Sequence, residues 1–294
     1  MNVPVIFNRR LGKNELDLLF DIFQSKEIHS VQATKFFQLE NSIAFVSSIE
    51  DEIIGGTAIY RDRTRLGMVL AAIAIKEEHR DLEAHTIIKS SLPFFRTVAI
   101  RDVDAIIATN QERGKLKFPL SFHLPSWIKQ VLDRNGFVIE QKLYSCRLEF
   151  ETDKTRKYRK IAVDSIANTK GTKSLIWDTG KSSGLTNSIV WMSLDFATHS
   201  KILRTISEGD AAKLAYSLIR DDETLTIGFI AATEDFLSNN GAATALLSGI
   251  IEEQVGEICF PLIGRRQLEL IESIAEEIGG SLKSESITLM RRRL

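Results

Sequence analysis

The stretch Ser238-Asn239-Asn240-Gly241-Ala242-Ala243 is a glycine-containing corner between an apolar run and a helix-like run, a place where an anion could be held. It follows the apolar run LTIGFIAAT and opens TALLSGII, which reads as an amphipathic helix. A helix start at this corner presents unpaired backbone N–H groups and the positive end of a dipole, which together hold a phosphate. Gly241 lets such a ligand approach the backbone with no side chain in the way. The same six residues also read as a polar loop whose Asn-Gly turn caps a helix.

Other reactive side chains lack partners at useful spacings. His79 and His85 flank Arg80 but are six residues apart, so they share no helical face and read as surface histidines. Cys146 and Cys259 sit in apolar or alternating runs and read as reduced core side chains. There is no CxxC, HExxH or acidic calcium loop, so no metal site is expected. Glu234 and Asp235 lie near the Gly241 corner. Asn110 ends a strand-like run, where it suits either a site or a turn cap. The loop QERGKLKFPLSFHLP, residues 111 to 125, combines Arg113, Lys115, Lys117 and His123 with Phe118, Phe122 and, just beyond, Trp127. It reads as a lid over a cleft or as a basic loop tacked down by aromatics.

The elements that position these residues repeat. Laid over residues 201 to 248, residues 43 to 90 match in pattern without a gap, at an offset of 158. Each copy runs strand, charged turn (Glu50 to Glu52, or Glu208 to Asp210), strand, polar hairpin (Arg61 to Arg65, or Arg220 to Glu223) and an apolar third strand. A helix follows, from about Asp81 to Val98 in the first copy. The same offset carries VPVIF (3 to 7) onto IAVDS (161 to 165).

Later in each copy come a strand (DVDAIIATN or EICFPLIG), a helix (SWIKQVLDRNGF or RRQLELIESIAEEIGG) and a closing strand. Gly136 and Gly279, 143 residues apart, stop the two helices where a left-handed residue is needed. The charge run TDKTRKYRK, residues 152 to 160, reads as a solvated connector. Arg291, Arg292 and Arg293 read as a solvated strand end, and Trp177 and Trp191 as core or inter-domain packing.

This element order resembles the GCN5-related N-acetyltransferase fold over nearly the whole chain, as tandem domains at residues 1–152 and 157–294. The expected fold class is mixed α/β, a mostly antiparallel sheet with flanking helices. The resemblance implies that the motif after the fourth strand (Arg or Gln, x, x, Gly, x, Gly or Ala) grips the diphosphate of acetyl-coenzyme A, a substrate. Ser238 to Ala243 keep Gly241 and Ala243 but have Ser238 at the Arg position. The first copy, Arg80 to His85, keeps Arg80 but puts Glu83 and His85 where small residues belong. Glu83 would repel a diphosphate, so the second copy is the expected site. The implied reaction is attack of a small-molecule or peptide amine on the thioester.

The fourth-strand runs GMVLAAIAI and LTIGFIAAT carry no carboxylate, and Leu132 and Ala275 stand where many members have a catalytic Tyr. The sequence therefore names no catalytic residue, and a non-catalytic acyl-coenzyme A sensor or interaction protein on the same fold is the alternative. The 294 residues are 44% apolar and 26% charged, a globular composition. Lys plus Arg number 38 against 39 for Asp plus Glu, which argues against nucleic acid, an anionic membrane surface and a tRNA-dependent, Fem-like transferase. With no signal-like or spanning apolar stretch, a cytoplasmic location is expected. The sequence gives no oligomeric state.

Overall fold

The computed structural model describes residues 5–15, 35–62, 66–80, 84–89, 101–107, 123–124, 126–151, 168–179, 185–221, 224–238, 246 and 255–294. The chain divides into two compact units, Met1–Gln141 with Ile287–Leu294, and Lys142–Ser286. Each is a mixed, mostly antiparallel sheet with helices.

In the first unit the strands are β1 (Ile6–Arg10), β2 (Ser42–Ile49), β3 (Glu52–Asp62), β4 (Gly67–Ile75), β5 (Asp102–Ile107) and the short β6 (His123–Leu124). They run β1-β2-β3-β4-β5, and β5 then pairs antiparallel with residues 288–293 of the last strand, β12 (Ser281–Arg293). Helical residues 84–89 and helix α1 (Ile128–Arg134) cover one face. Ile87, Ile88, Ile128 and Leu132 pack there on Ile54, Met68, Val103 and Ala105.

The second unit has α2 (Thr169–Thr179), α3 (Asn187–His199), β8 (Leu203–Glu208), β9 (Ala211–Asp221), β10 (Thr224–Ala232), α4 (Glu234–Ser238), β11 (Glu257–Ile263) and α5 (Arg265–Ile278). Its strands run β8-β9-β10-β11, and β11 pairs antiparallel with residues 144–149 of β7 (Val138–Glu149). The apolar stripe of α5, Leu268, Ile271, Ile274 and Ile278, lies on Leu148, Leu225, Ile258 and Phe260. Gly136 and Gly279 adopt φ of +80° and +63° beside α1 and α5, the left-handed stops that their spacing predicts.

The repeat is visible residue by residue. β3 and β9 both span 11 residues and β4 and β10 both span 9, at offsets of 159 and 157. The sequence offset of 158 averages the two, because four residues (63–66) join β3 to β4 but two (222–223) join β9 to β10. Two β-bulges recur at matching positions. Ile54 is the extra residue opposite Ser47 and Ser48, as Lys213 is opposite Ile206 and Ser207. The Lys76 N–H donates to the Ile54 carbonyl, and the Thr233 N–H donates to the Lys213 carbonyl, so the same bond closes both bulges.

Three expectations change. Trp191 is buried, but Trp177 is 53% exposed on α2. Arg291 to Arg293 are not simply a solvated strand end. Arg291 has a side chain only 18% exposed and makes two bonds, of 2.8 and 3.3 Å, to the buried Asp104. Its neighbour Arg292 donates to the Asn135 carbonyl, while Arg293 remains exposed. β1 runs to Arg10, three residues beyond the end of the predicted VPVIF strand, whose residues 3 and 4 lie outside the described residues. The connector 152–160 and the strand 161–165 lie outside the described residues.

Candidate active site

Parallel pairing between the fourth and fifth strands of each unit is short. β4 pairs with β5 from Gly67↔Asp102 to Leu70↔Ala105 and stops, although β4 continues to Ile75. β10 pairs with β11 from Thr224↔Glu257 to Thr226↔Cys259 and stops, although β10 continues to Ala232. A bulge follows the last pair in each case. Ala71 is the extra residue between the pairs Ala58↔Ala72 and Ile59↔Leu70. Gly228 and Phe229 face Ser217 alone, between Ile227↔Leu218 and Ile230↔Tyr216. A bulge bends its strand and sharpens the twist, so the fourth strand leaves the fifth and a wedge opens between them.

The two wedges differ. In the first unit β12 pairs along one edge of β5 from Asp102 to Ile107. On the other edge β4 takes Asp102 to Ala105, and β6 takes the remainder through Ile106↔His123 and Ile107↔Leu124. β6 also packs on β4, and Leu124 is 1% exposed. The first wedge is thus filled by the chain's own backbone. Arg80 is engaged as well: its guanidinium carbon lies 5.1 Å from the centre of the Trp127 ring, and its Nε donates to the Ile75 carbonyl at 3.4 Å. Segment 123–127 therefore meets both the β5 edge and the motif arginine.

In the second unit no described strand pairs with β11 on its β10 side beyond Cys259. Among the described residues one side chain spans the opening. Gln267, 4% exposed in the first turn of α5, donates from Nε2 to the Ile230 carbonyl at 3.0 Å. Its Oε1 accepts from the Gly264 N–H at 2.6 Å, which caps the helix. On the surface beside it Arg266 pairs with Glu234 at 2.6 Å, so Glu234 is held in an ion pair.

Electrostatics in the second unit are muted. Burial pushes the Cys146 thiol up to about 12 and the Cys259 thiol up to about 11, with Glu272 and Glu257 respectively adding to the rise. The two cannot form a disulfide by rotation alone, because Cys146 stands opposite Phe260 while Cys259 stands opposite Arg147. Successive residues of a strand face opposite sides of the sheet, so the two thiols do too. In the first unit the hydrogen bond and charge of Lys76 hold the Glu52 carboxyl below its usual value.

The bulge in the second unit has a buried partner. The Ser217 hydroxyl oxygen accepts from the Gly228 and Phe229 N–H groups at 3.0 and 3.2 Å. Backbone N–H groups freed by a bulge are the natural donors to a developing oxyanion, and here both are already satisfied. β4 and β10 carry no carboxylate, and Leu132 and Ala275 are buried in their cores.

Of the sequence-predicted site, Ser238 ends α4, and Asn239, Asn240, Gly241, Ala242 and Ala243 lie outside the described residues. So do Asn110, residues 111–122 and residues 81–83 of the first copy. His79 and His85 are partly exposed. Among the described residues no three His, Cys, Asp or Glu side chains come together as a metal site. No described helix is long and apolar enough to cross a membrane.

No family model and no curated protein matches the sequence. Solved structures do match. The tandem GNAT protein from the clavulanic acid biosynthesis pathway superposes with a TM-score of 0.61, at 7% identity over 98% of this chain and 98% of that one. Two copies of the splayed, bulged sheet and this whole-length match decide the architecture. The fold is that of the GCN5-related N-acetyltransferases, carried twice in one chain.

A Pyrococcus horikoshii protein described as a candidate acetyltransferase superposes with a TM-score of 0.63, at 13% identity over 100% of this chain and 91% of that one. A GCN5-related glucosamine N-acetyltransferase region in a fungal multi-domain beta-N-acetylglucosaminidase gives 0.66 at 9% identity over 99% of this chain. This chain spans 38% of the length of that fungal protein. At such identities the likeness establishes the tandem acetyltransferase fold alone.

Sequence reasoning missed Ser217, Gln267 and β6. The small hydroxyl of Ser217 stands beside Tyr216 in the mostly apolar run KLAYSLI, and Gly264-x-x-Gln267 before an apolar stripe marked a helix cap. Nothing in the loop 111–125 marked two of its residues as a strand.

Proposed function

We propose that the second unit binds an acyl-coenzyme A and that the protein transfers its acyl group, acetyl in the simplest case, to an amine on a small molecule or peptide. The observation that carries this reading is the wedge past Thr226 and Cys259, bordered by a strand that leads toward the corner Ser238 to Ala243. In the reaction the amine nitrogen forms a bond to the thioester carbon, and the carbon–sulfur bond then breaks. The amine's proton leaves through water in the wedge, and the departing thiolate takes up a proton. Asn239 to Ala243 supply the backbone donors for the diphosphate.

The first unit, its wedge filled by β6, supports the second. In this reading the protein works in the cytoplasm, and residues 1–152 and 157–294 are the duplicated halves. A second reading, binding without turnover, is favoured by Ser217, which satisfies both bulge amides. Calorimetric titration with acetyl-coenzyme A tests the site: wild type gives heat and Gly241→Glu abolishes it. Wild type that stays silent at millimolar ligand overturns both readings. Assay on an amine panel then separates transfer from binding alone.

A further inference from the structure

The two units carry the same row of three strands and fill it differently. In the first, Val69 of β4, Asp104 of β5 and Arg291 of β12 stand in register. In the second, Thr226 of β10, Cys259 of β11 and Arg147 of β7 stand in the matching register. Each row lies on the sheet face away from α1 or α5. Its neighbours Val103 and Ala105, or Ile258 and Phe260, belong to the cores that those helices cover.

The first row shows what an arginine takes at this register. Arg291 grips the buried Asp104 carboxylate through Nε at 2.8 Å and Nη2 at 3.3 Å. The second row has the arginine but faces it with a thiol, kept neutral by burial. Thr226 puts a hydroxyl where the first unit has Val69, and the Arg147 side chain is 41% exposed. The nearby carboxylate, Glu257, belongs to the next pair on the closed side of the wedge and meets Nε at 3.6 Å, beyond hydrogen-bond length. Glu257 also accepts from the Thr224 hydroxyl at 3.4 Å and the Cys259 thiol at 3.6 Å. A guanidinium presents five N–H donors in a planar fork, more than one carboxylate at its Nε edge uses.

We infer that Arg147 determines acceptor specificity by taking a carboxylate of the acceptor, which is therefore an amine that also bears a carboxylate, as amino acids and peptides do. This rests on the function proposed above. The ligand brings to the second row the group that Asp104 supplies to the first. The place adjoins the chemistry, since Thr226↔Cys259 is the last pair before the wedge opens. β11 alone separates β7 from that opening, about 5 Å of sheet. One small molecule spans this distance, with its carboxylate on Arg147 and its amine at the thioester. An alkylamine offers the guanidinium nothing.

Two variants test this from opposite sides. Arg147→Met removes the guanidinium, and Cys259→Asp places the first unit's own carboxylate opposite Arg147, filling the position from within. Transfer is measured with glycine, β-alanine and longer ω-amino acids, each beside the alkylamine of equal length, and with a dipeptide beside its C-terminal amide. Wild type is expected to favour the carboxylate-bearing member of at least one pair in kcat/KM, and each variant to cut that preference roughly 10- to 100-fold. Arg147→Lys, which keeps the charge without the fork, should retain part of it. A preference in the dipeptide pair alone supports a peptide acceptor, and one in the other pairs alone supports a free amino acid. Equal use within every pair, or variants that keep the wild-type preference, overturns the carboxylate assignment and leaves transfer standing. NMR reads binding without turnover: the Arg147 Nε–H signal should shift when the amino acids are added to wild type, and stay put in Cys259→Asp. No shift with any member of the panel overturns the assignment whether or not transfer occurs. Wild type that binds no acetyl-coenzyme A overturns the function on which it rests.

Discussion

Arg291 faces Asp104 across the β12–β5 ladder and grips both of its carboxylate oxygens, with Glu140 3.4 Å from the same guanidinium. A side chain near the end of a strand thus satisfies a charge that is 1% exposed. Breaking such a pair from one side leaves a buried charge without its oppositely charged partner. Arg291→Met is therefore expected to cost about 3–5 kcal/mol, and adding Asp104→Leu should recover most of it. Urea unfolding of the two variants checks this; a double variant less stable than the single one would contradict it.

Ser217→Ala removes the acceptor from two buried amides and should cost about 1–3 kcal/mol, read as a lower thermal midpoint. The same change leaves both N–H groups without that acceptor. If transfer occurs, its rate per bound acyl-coenzyme A should not fall, and single-turnover kinetics would show this.

Leu124→Ala should destabilise the protein by about 2–5 kcal/mol, since the side chain is fully packed among Ile73, Ile107 and Ile128. It should create no second acyl-coenzyme A site, because the main chain of β6 still lines β5. A binding stoichiometry of two in calorimetry would contradict this.

The thiols make a pH prediction. Both have folded values above the ordinary 9.0, so the stability they contribute is fully present below pH 9. It is lost as pH rises toward about 11 and then about 12. At pH 8 neither should react with a thiol reagent on the timescale of mixing, and both should react in denaturant. Rapid labelling of the native protein would contradict burial.

Much of the frame was legible in the sequence because it depends on local periodicity. The runs of β3, β4, β9 and β10, the stripe of α5 and the stops at Gly136 and Gly279 each announce themselves within about a dozen residues. Strand partners are not local, so nothing in SESITLMRRR said that it would lie beside DVDAII. Arg291 read as solvated for that reason. Trp177 read as core or inter-domain packing because its type is usually buried, but on α2 it is 53% exposed. Bulges add one residue to a strand, too little to disturb a hydropathy pattern. The wedge they open was therefore not legible in the sequence.

The pairing of residues 288–293 with β5 has a bearing on synthesis. The second unit, Lys142–Ser286, is continuous and has all its strands once residue 286 has left the ribosome. The first unit begins to emerge earlier, yet β5 keeps a bare edge until residues 288–293 are translated. The half made first is the half finished last, and until then its exposed ladder is open to pairing with a neighbouring nascent chain.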